Sequence, residues 1–198
     1  MQGQHVSACR SPVSRTDDAI AAAPWLEQGS TLLELMVVLG IVALTIGAAA
    51  PSLLEFQERY RLEGRAIELV TDLHYVRSEA LSRNQVMRIS FNSDAAGSCY
   101  VLHTGAAGDC HCDSSGTALC QDTDNSVVKS VGFAAESGIR LQANVASMLF
   151  DPGRGTTTPA GSVNLIGSSG KTIRQIVNIT GRTRTCSPEG SVSGYKAC

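Results

Sequence analysis

The sequence predicts an α+β protein: one long N-terminal helix packed on a small antiparallel β-sheet or sandwich. Three patterns predict it. Between Leu35 and Ala50 no residue is charged. From Leu62 apolar residues recur at helical spacing, and from Val86 the period falls to two. Composition agrees, since aromatics make up only 5% and there are 19 glycines, which suits a small β-rich domain better than a large α/β enzyme. With 198 residues and a net charge of −2, the chain has room for one domain and an anchor.

Residues 1–29 form a polar leader, with Arg10 and Arg15 against Asp17, Asp18 and Glu27. It has no apolar segment of its own, so it is not a secretory signal of the usual kind. Residues 30–52 read as a transmembrane anchor, because the apolar run from Leu32 approaches the ~20 residues a helix needs to cross a bilayer. Glu34 is the single carboxylate at the head of that run. A charge there is costly in lipid, which makes it a functional candidate. Pro51 removes a backbone hydrogen bond and loosens the helix locally.

Residues 53–84 continue the same helix as an amphipathic half. Leu62, Ala66, Leu69, Leu73, Val76 and Ala80 share one face, and charged residues occupy the others. The pairs Glu55→Arg59 and Glu79→Arg83 have the i,i+4 spacing that adds a few tenths of a kcal/mol each. Residues 85–198 are expected to form the β-rich domain. Met87, Ile89 and Phe91 alternate with Arg88 and Ser90 as a strand does. Further strands are expected at Cys99–His103, Val127–Phe133, Ile139–Leu141, Ser147–Phe150, Val163–Ile166 and Thr172–Ile179, separated by glycine-rich turns.

Beyond the leader, which contains Cys9, the cysteines are Cys99, Cys110, Cys112, Cys120, Cys186 and Cys198. An even set after an anchor fits disulfides in an oxidising compartment. Cys186 with Cys198 is the expected pair. The other four are open between Cys99–Cys120 with Cys110–Cys112, and Cys99–Cys110 with Cys112–Cys120. Cys110, His111, Cys112, Cys120 and His103 also invite a zinc reading, but Cys-x-Cys is not the usual knuckle spacing. No metal and no cofactor is expected.

No catalytic residue is expected either. Gly170-Lys171-Thr172 ends like a phosphate-binding loop, yet Leu165 stands where its first glycine belongs. His74, His103 and His111 belong to no recognisable nucleophile motif.

Charge is uneven. Residues 92–150 carry six acidic residues (Asp94, Asp109, Asp113, Asp122, Asp124, Glu136) against Lys129 and Arg140. Residues 151–198 carry six basic ones (Arg154, Lys171, Arg174, Arg182, Arg184, Lys196) against Asp151 and Glu189. A basic C-terminal region points to a contact with nucleic acid. Within it, Arg182 and Arg184 flank one residue, so an extended chain turns both guanidiniums to one side. Guanidinium forks suit phosphate oxygens. The plainer reading is an arginine pair that caps a sheet edge. Lys171, Arg174 and Lys196 are candidates to widen the patch.

Two stretches carry a family resemblance. Gly29-Ser30-Thr31-Leu32-Leu33-Glu34-Leu35-Met36, with its apolar continuation to Pro51, resembles the signal of type IV prepilins and type II secretion pseudopilins. Ser30 stands where that family usually has Phe or Met. The resemblance implies cleavage between Gly29 and Ser30 by a prepilin peptidase and N-methylation of Ser30. It further implies that Glu34 acts in assembly, paired with the free amine of a neighbouring subunit, and that Pro51 gives flexibility during assembly. Gly181-Arg182-Thr183-Arg184, with Cys186 and Cys198, is similar to the FimT branch of the FimT/FimU/GspH minor pilins and pseudopilins. That similarity implies sequence-independent binding of double-stranded DNA during uptake. Phe150-Asp151-Pro152-Gly153-Arg154-Gly155 looks like a turn found in GspH-like domains and reads as a strand end running into a tight turn. The implied partners are other pilin or pseudopilin subunits, the peptidase, the inner membrane and DNA. The implied location is a single pass through a bacterial inner membrane with a periplasmic domain, and then the filament. The alternative is a structural or priming subunit of a pilus or secretion pseudopilus with no DNA role.

Overall fold

The computed structural model describes residues 31–122 and 124–198, without the side chains of residues 49–51. Gly29, Ser30 and the side chain of Pro51 lie outside the described residues. The chain forms two compact units, Met1–Ile46 and Gly47–Cys198. Helix α1 runs from Leu32 to Arg83. At its start the Glu34 N–H donates to Thr31 Oγ1 at 3.2 Å, so Thr31 caps the first turn. In the first unit Leu32, Leu33, Leu35, Met36 and the apolar residues up to Ile46 are exposed. Among the described residues no single helix is long and apolar enough to cross a membrane. The segments Leu32–Ala48 and Ser52–Arg83 pass that test as a pair.

The second unit is built on the amphipathic half of α1. Its strands are β1 (Met87–Ser93), β2 (Gly97–His103), β3 (Cys110–Cys112), β4 (Ala118–Cys120), β5 (Val127–Ala134), β6 (Ile139–Ala143), β7 (Ser147–Phe150), β8 (Thr157–Thr158), β9 (Gly161–Gly167), β10 (Thr172–Val177) and β11 (Thr183–Cys186). They make a five-stranded sheet in the order β5-β2-β1-β7-β8 and a four-stranded sheet in the order β11-β10-β9-β6. All pairings in both are antiparallel.

One core joins the helix to both sheets. Leu62, Ala66, Leu69, Leu73, Val76 and Ala80 are all buried, packed with Ile89, Tyr100 and Phe133 of one sheet and Leu141, Leu165 and Ile173 of the other. The alternation in β9 and β10 explains this. Val163, Leu165, Ile173 and Val177 point inward, while Ser162, Asn164, Arg174 and Ile176 point out. Of the two expected helix pairs, Arg83 meets Glu79, but Arg59 bonds Glu63 at 2.7 Å instead of Glu55.

Strands β3 and β4 form a hairpin over the back of the five-stranded sheet, where Cys99, Val101, Cys110 and Cys112 make a second small cluster. Neither expected pairing of the four cysteines is formed. The disulfides are Cys99–Cys112 and Cys110–Cys120. The physical reason is the register: Cys110 lies opposite Cys120 across the hairpin, which leaves Cys112 over Cys99. Gly132 lets the hairpin lie close, since a Cβ there would collide with the backbone of Ser114 and Gly116. The third bridge is Cys186–Cys198.

Candidate nucleic-acid interface

The four-stranded sheet lies along α1, and named contacts fix its direction. The β9–β10 turn reaches back to Glu58, whose Oε1 accepts from Ser168 Oγ and Ser169 N–H, both at 2.7 Å. Midway, buried Gln175 donates to the Ala66 carbonyl at 3.2 Å. At the other end Arg77 Nε donates to the Gly155 carbonyl at 3.0 Å. Glu58 to Arg77 is about 28 Å along a helix. In the sequence Glu58 is the nearer of the two to the apolar run and Arg77 the farther.

At the near end the helix charges are tied to loops. Arg59 donates to Ser193 Oγ at 2.6 Å and to its carbonyl at 2.9 Å. Arg61 donates to the Ser137 carbonyl at 3.1 Å. The hydrogen bonds from Ser168 and Ser169 hold the Glu58 carboxyl below the usual carboxylate range.

The far end differs. Strand β10 stops at Val177, and Asn178–Gly181 turn the chain back into β11. The Gly181 N–H donates to the Asn178 carbonyl at 2.9 Å, and the Arg182 N–H donates to Asn178 Oδ1 at 2.9 Å. Gly181 has φ +72°, and a Cβ there would collide with the Gly155 carbonyl. Arg184 stands opposite Ile176 on the outer face of the sheet, and with Arg182, Thr183 and Asn178 they line one shallow hollow. Both arginines are exposed, and neither side chain makes an ion pair or hydrogen bond among the described residues.

The five candidate cations are not one cluster. Arg174 sits one sheet position along from Ile176, opposite Cys186, and its Nε donates to Asn164 Oδ1 at 2.7 Å. Lys171 lies at the β9–β10 turn beside Glu58, and Lys196 lies in the C-terminal loop, where its carbonyl accepts from Ser187 at 2.9 Å. Both lysines therefore belong to the near end, about 20 Å from Arg182 by the length of β10. Sequence reasoning also passed over Arg77, and gave Arg154 no role beyond its place in the basic region. Arg77 touches both far turns, and Arg154 is exposed on one of them. Nothing local marks Arg77, but the glycine-arginine pairs at 153–154 and 181–182 were a usable signal for the two turns.

The other buried polar groups hold the fold. Tyr100 donates to Asp72 at 2.6 Å, and Lys129 bridges Asp72 and Glu68. Burial, then the Asp72 carboxylate, push the Tyr100 hydroxyl far up in pKa. His103 is fully buried between Ser90 Oγ at 2.8 Å and the Gly105 N–H at 3.1 Å, and burial, then the Arg88 charge, push its pKa down.

A family model described as type II transport protein GspH matches residues 65–181, more than half of the chain. The chain belongs to the GspH family. The match covers the second half of the helix and both sheets as far as Gly181, and ends before Arg182 and Arg184. No curated protein matches the sequence. Among solved structures, the type IV minor pilin FimU of Pseudomonas aeruginosa is 17% identical with a TM-score of 0.50, over 69% of this chain and 99% of that one. The minor pseudopilin EpsH of the Vibrio cholerae type 2 secretion system is 12% identical with a TM-score of 0.44, over 64% of this chain and 96% of that one. The likeness to FimU is one of fold: a long helix on antiparallel sheets.

Proposed function

We propose that this GspH-family chain is a minor pilin or pseudopilin subunit, anchored in a bacterial inner membrane and drawn into a filament of similar subunits, whose far end binds double-stranded DNA. The observation that carries the DNA reading is the pair Arg182 and Arg184: exposed, on one hollow, without partners among the described residues, at the end of the sheet marked by Arg77. Phosphate-driven binding of this kind is independent of sequence and steeply salt-dependent. Arg174 extends the surface along the same sheet face.

In this reading a prepilin peptidase cuts between Gly29 and Ser30, and the new amine of Ser30 is methylated. Glu34 then pairs with that amine on a neighbouring subunit in low dielectric. Removing one partner leaves a buried charge, at a cost of about 3–5 kcal/mol. Glu34→Val is expected to insert in the membrane and fail to enter filaments. Wild-type incorporation of that variant in sheared filament fractions removes the assembly role.

The DNA reading is tested on the full-length chain in detergent, titrated with a short fluorescent duplex at about 50 and 200 mM salt. Wild type is expected to bind and to weaken steeply with salt. Arg182→Gln/Arg184→Gln is expected to flatten the slope of log K against log salt by about 2. Identical titrations for both proteins refute the role of the arginines. A second reading, a structural or priming subunit with no DNA contact, is favoured by the family match ending at Gly181. It predicts no binding by wild type at either salt.

A further inference from the structure

Two glycine-arginine turns far apart in sequence meet at one place. The first follows β7: Asp151 Oδ1 accepts the N–H groups of Gly153 at 3.0 Å and Arg154 at 2.9 Å, and the Gly155 N–H returns to the Asp151 carbonyl at 2.9 Å. The second is Asn178–Gly181. Gly155 and Gly181 both have left-handed φ, +61° and +72°. A Cβ at Gly181 would strike the Gly155 carbonyl and lie 2.8 Å from Arg77 Nε, and one at Gly155 would press on Arg77 Nε at 3.1 Å. The Thr157 N–H then donates to the Ile179 carbonyl at 3.0 Å, which ties the edge of the five-stranded sheet to the end of β10. The two turns are thus one rigid corner, pinned by Arg77 from the helix.

Each turn presents an arginine next to its glycine. Arg154 directly precedes Gly155, and Arg182 directly follows Gly181. With the glycine backbones in contact, one residue of chain on each side keeps the two arginine Cα atoms within about 15 Å. Arg154 is exposed and has no ion pair or side-chain hydrogen bond among the described residues. The nearest carboxylate in its own turn, Asp151, is turned onto backbone N–H groups.

We propose that Arg154 is a third phosphate-binding residue, so that the DNA surface is a clamp across both sheets and not a patch on one strand. This rests on the DNA reading given above. Arg182 and Arg184 contact the duplex backbone from the four-stranded sheet, and Arg154 contacts a neighbouring phosphate from the five-stranded one. A guanidinium at each position supplies a charge and a fork of donors to phosphate oxygens.

The test compares full-length wild type, Arg154→Gln, Arg154→Lys, Arg182→Gln/Arg184→Gln and Arg61→Gln as a charge-matched control from the near end. Anisotropy titrations with the same duplex span about 50 to 200 mM salt. Arg154→Gln is expected to weaken binding roughly five- to tenfold at ~0.1 M salt and to flatten the salt slope by about 0.9. Arg154→Lys is expected to restore the slope and Arg61→Gln to match wild type in binding, with the melting temperatures of the Arg154 variants unchanged. If Arg154→Gln matches wild type while Arg182→Gln/Arg184→Gln loses binding, the clamp is refuted and the DNA reading stands. Equal losses from Arg154→Gln and Arg61→Gln mean a net-charge effect and also refute the clamp. If wild type does not bind duplex, the DNA reading and the clamp both fall.

Discussion

The two ends of the four-stranded sheet treat charge in opposite ways. At the near end Glu58, Arg59 and Arg61 are bonded to Ser168, Ser169, Ser193 and Ser137, so the helix charges serve to hold loops. At the far end Arg77 holds a turn, through the Gly155 carbonyl. Arg154, Arg182 and Arg184 are left facing solvent. An exposed cation without an internal partner adds little to stability. Set beside a closely packed corner, such a cation suits the binding of an anion. The difference teaches that basic residues near one another in sequence need not act together: Lys171 and Arg174 are three residues apart, yet one lies beside Glu58 and the other faces Asn164.

The most severe way to break this contrast is Gly181→Ala. A left-handed Ala costs roughly 1–2 kcal/mol, and displacing the Gly155 backbone adds about 1–3 kcal/mol. Thermal unfolding is expected to show a loss of about 2–5 kcal/mol, with DNA binding reduced although no arginine is changed. An unchanged melting temperature means that the two turns do not pack as described. A milder change sits between the ends. Gln175 donates to the Ala66 carbonyl and accepts from Thr185 Oγ1 at 2.6 Å while almost fully buried. Gln175→Leu is expected to cost about 1–2 kcal/mol by leaving the Thr185 hydroxyl without its partner. Because it moves neither turn, it should leave DNA affinity alone. A loss of affinity there means that the far end is not an independent corner.

Much of the fold was legible because periodicity is a local property. The stripe from Leu62 to Ala80 and the alternation from Met87 needed only the spacing of apolar residues. The same logic explains what was missed. Strand β11 buries only Cys186 of its four residues, and β3 and β4 are three residues each with Cys110 and Cys112 as their buried positions, so no apolar alternation announces them. The Cys99–Cys112 bridge depends on a hairpin folding back over β2, a tertiary event that spacing does not encode. Arg182 and Arg184 were legible as a pair through the extended-chain rule. Arg154 was not, because its place beside Gly181 arises only when Arg77 brings two distant turns together.

The smallest expected effect comes from the near end and bears on whether its charges are structural. Glu58 is half-buried and its bonds to Ser168 and Ser169 lie at the surface, where they are partly screened, so Glu58→Gln should cost no more than about 0.5–1 kcal/mol at neutral pH. The pH dependence is the sharper readout. The Glu58 carboxyl is held below its ordinary value of 4.5 in the folded chain. The unfolded chain therefore binds its proton first as pH falls, and the stabilisation is complete above the unfolded value. It is lost as pH drops through the lowered folded value, so the gap between wild type and Glu58→Gln should close in acid. DNA affinity should be the same for both proteins at neutral pH. A gap that persists unchanged in acid would show that Glu58 acts through shape and not charge. A change in DNA affinity would show that the near end also belongs to the binding surface.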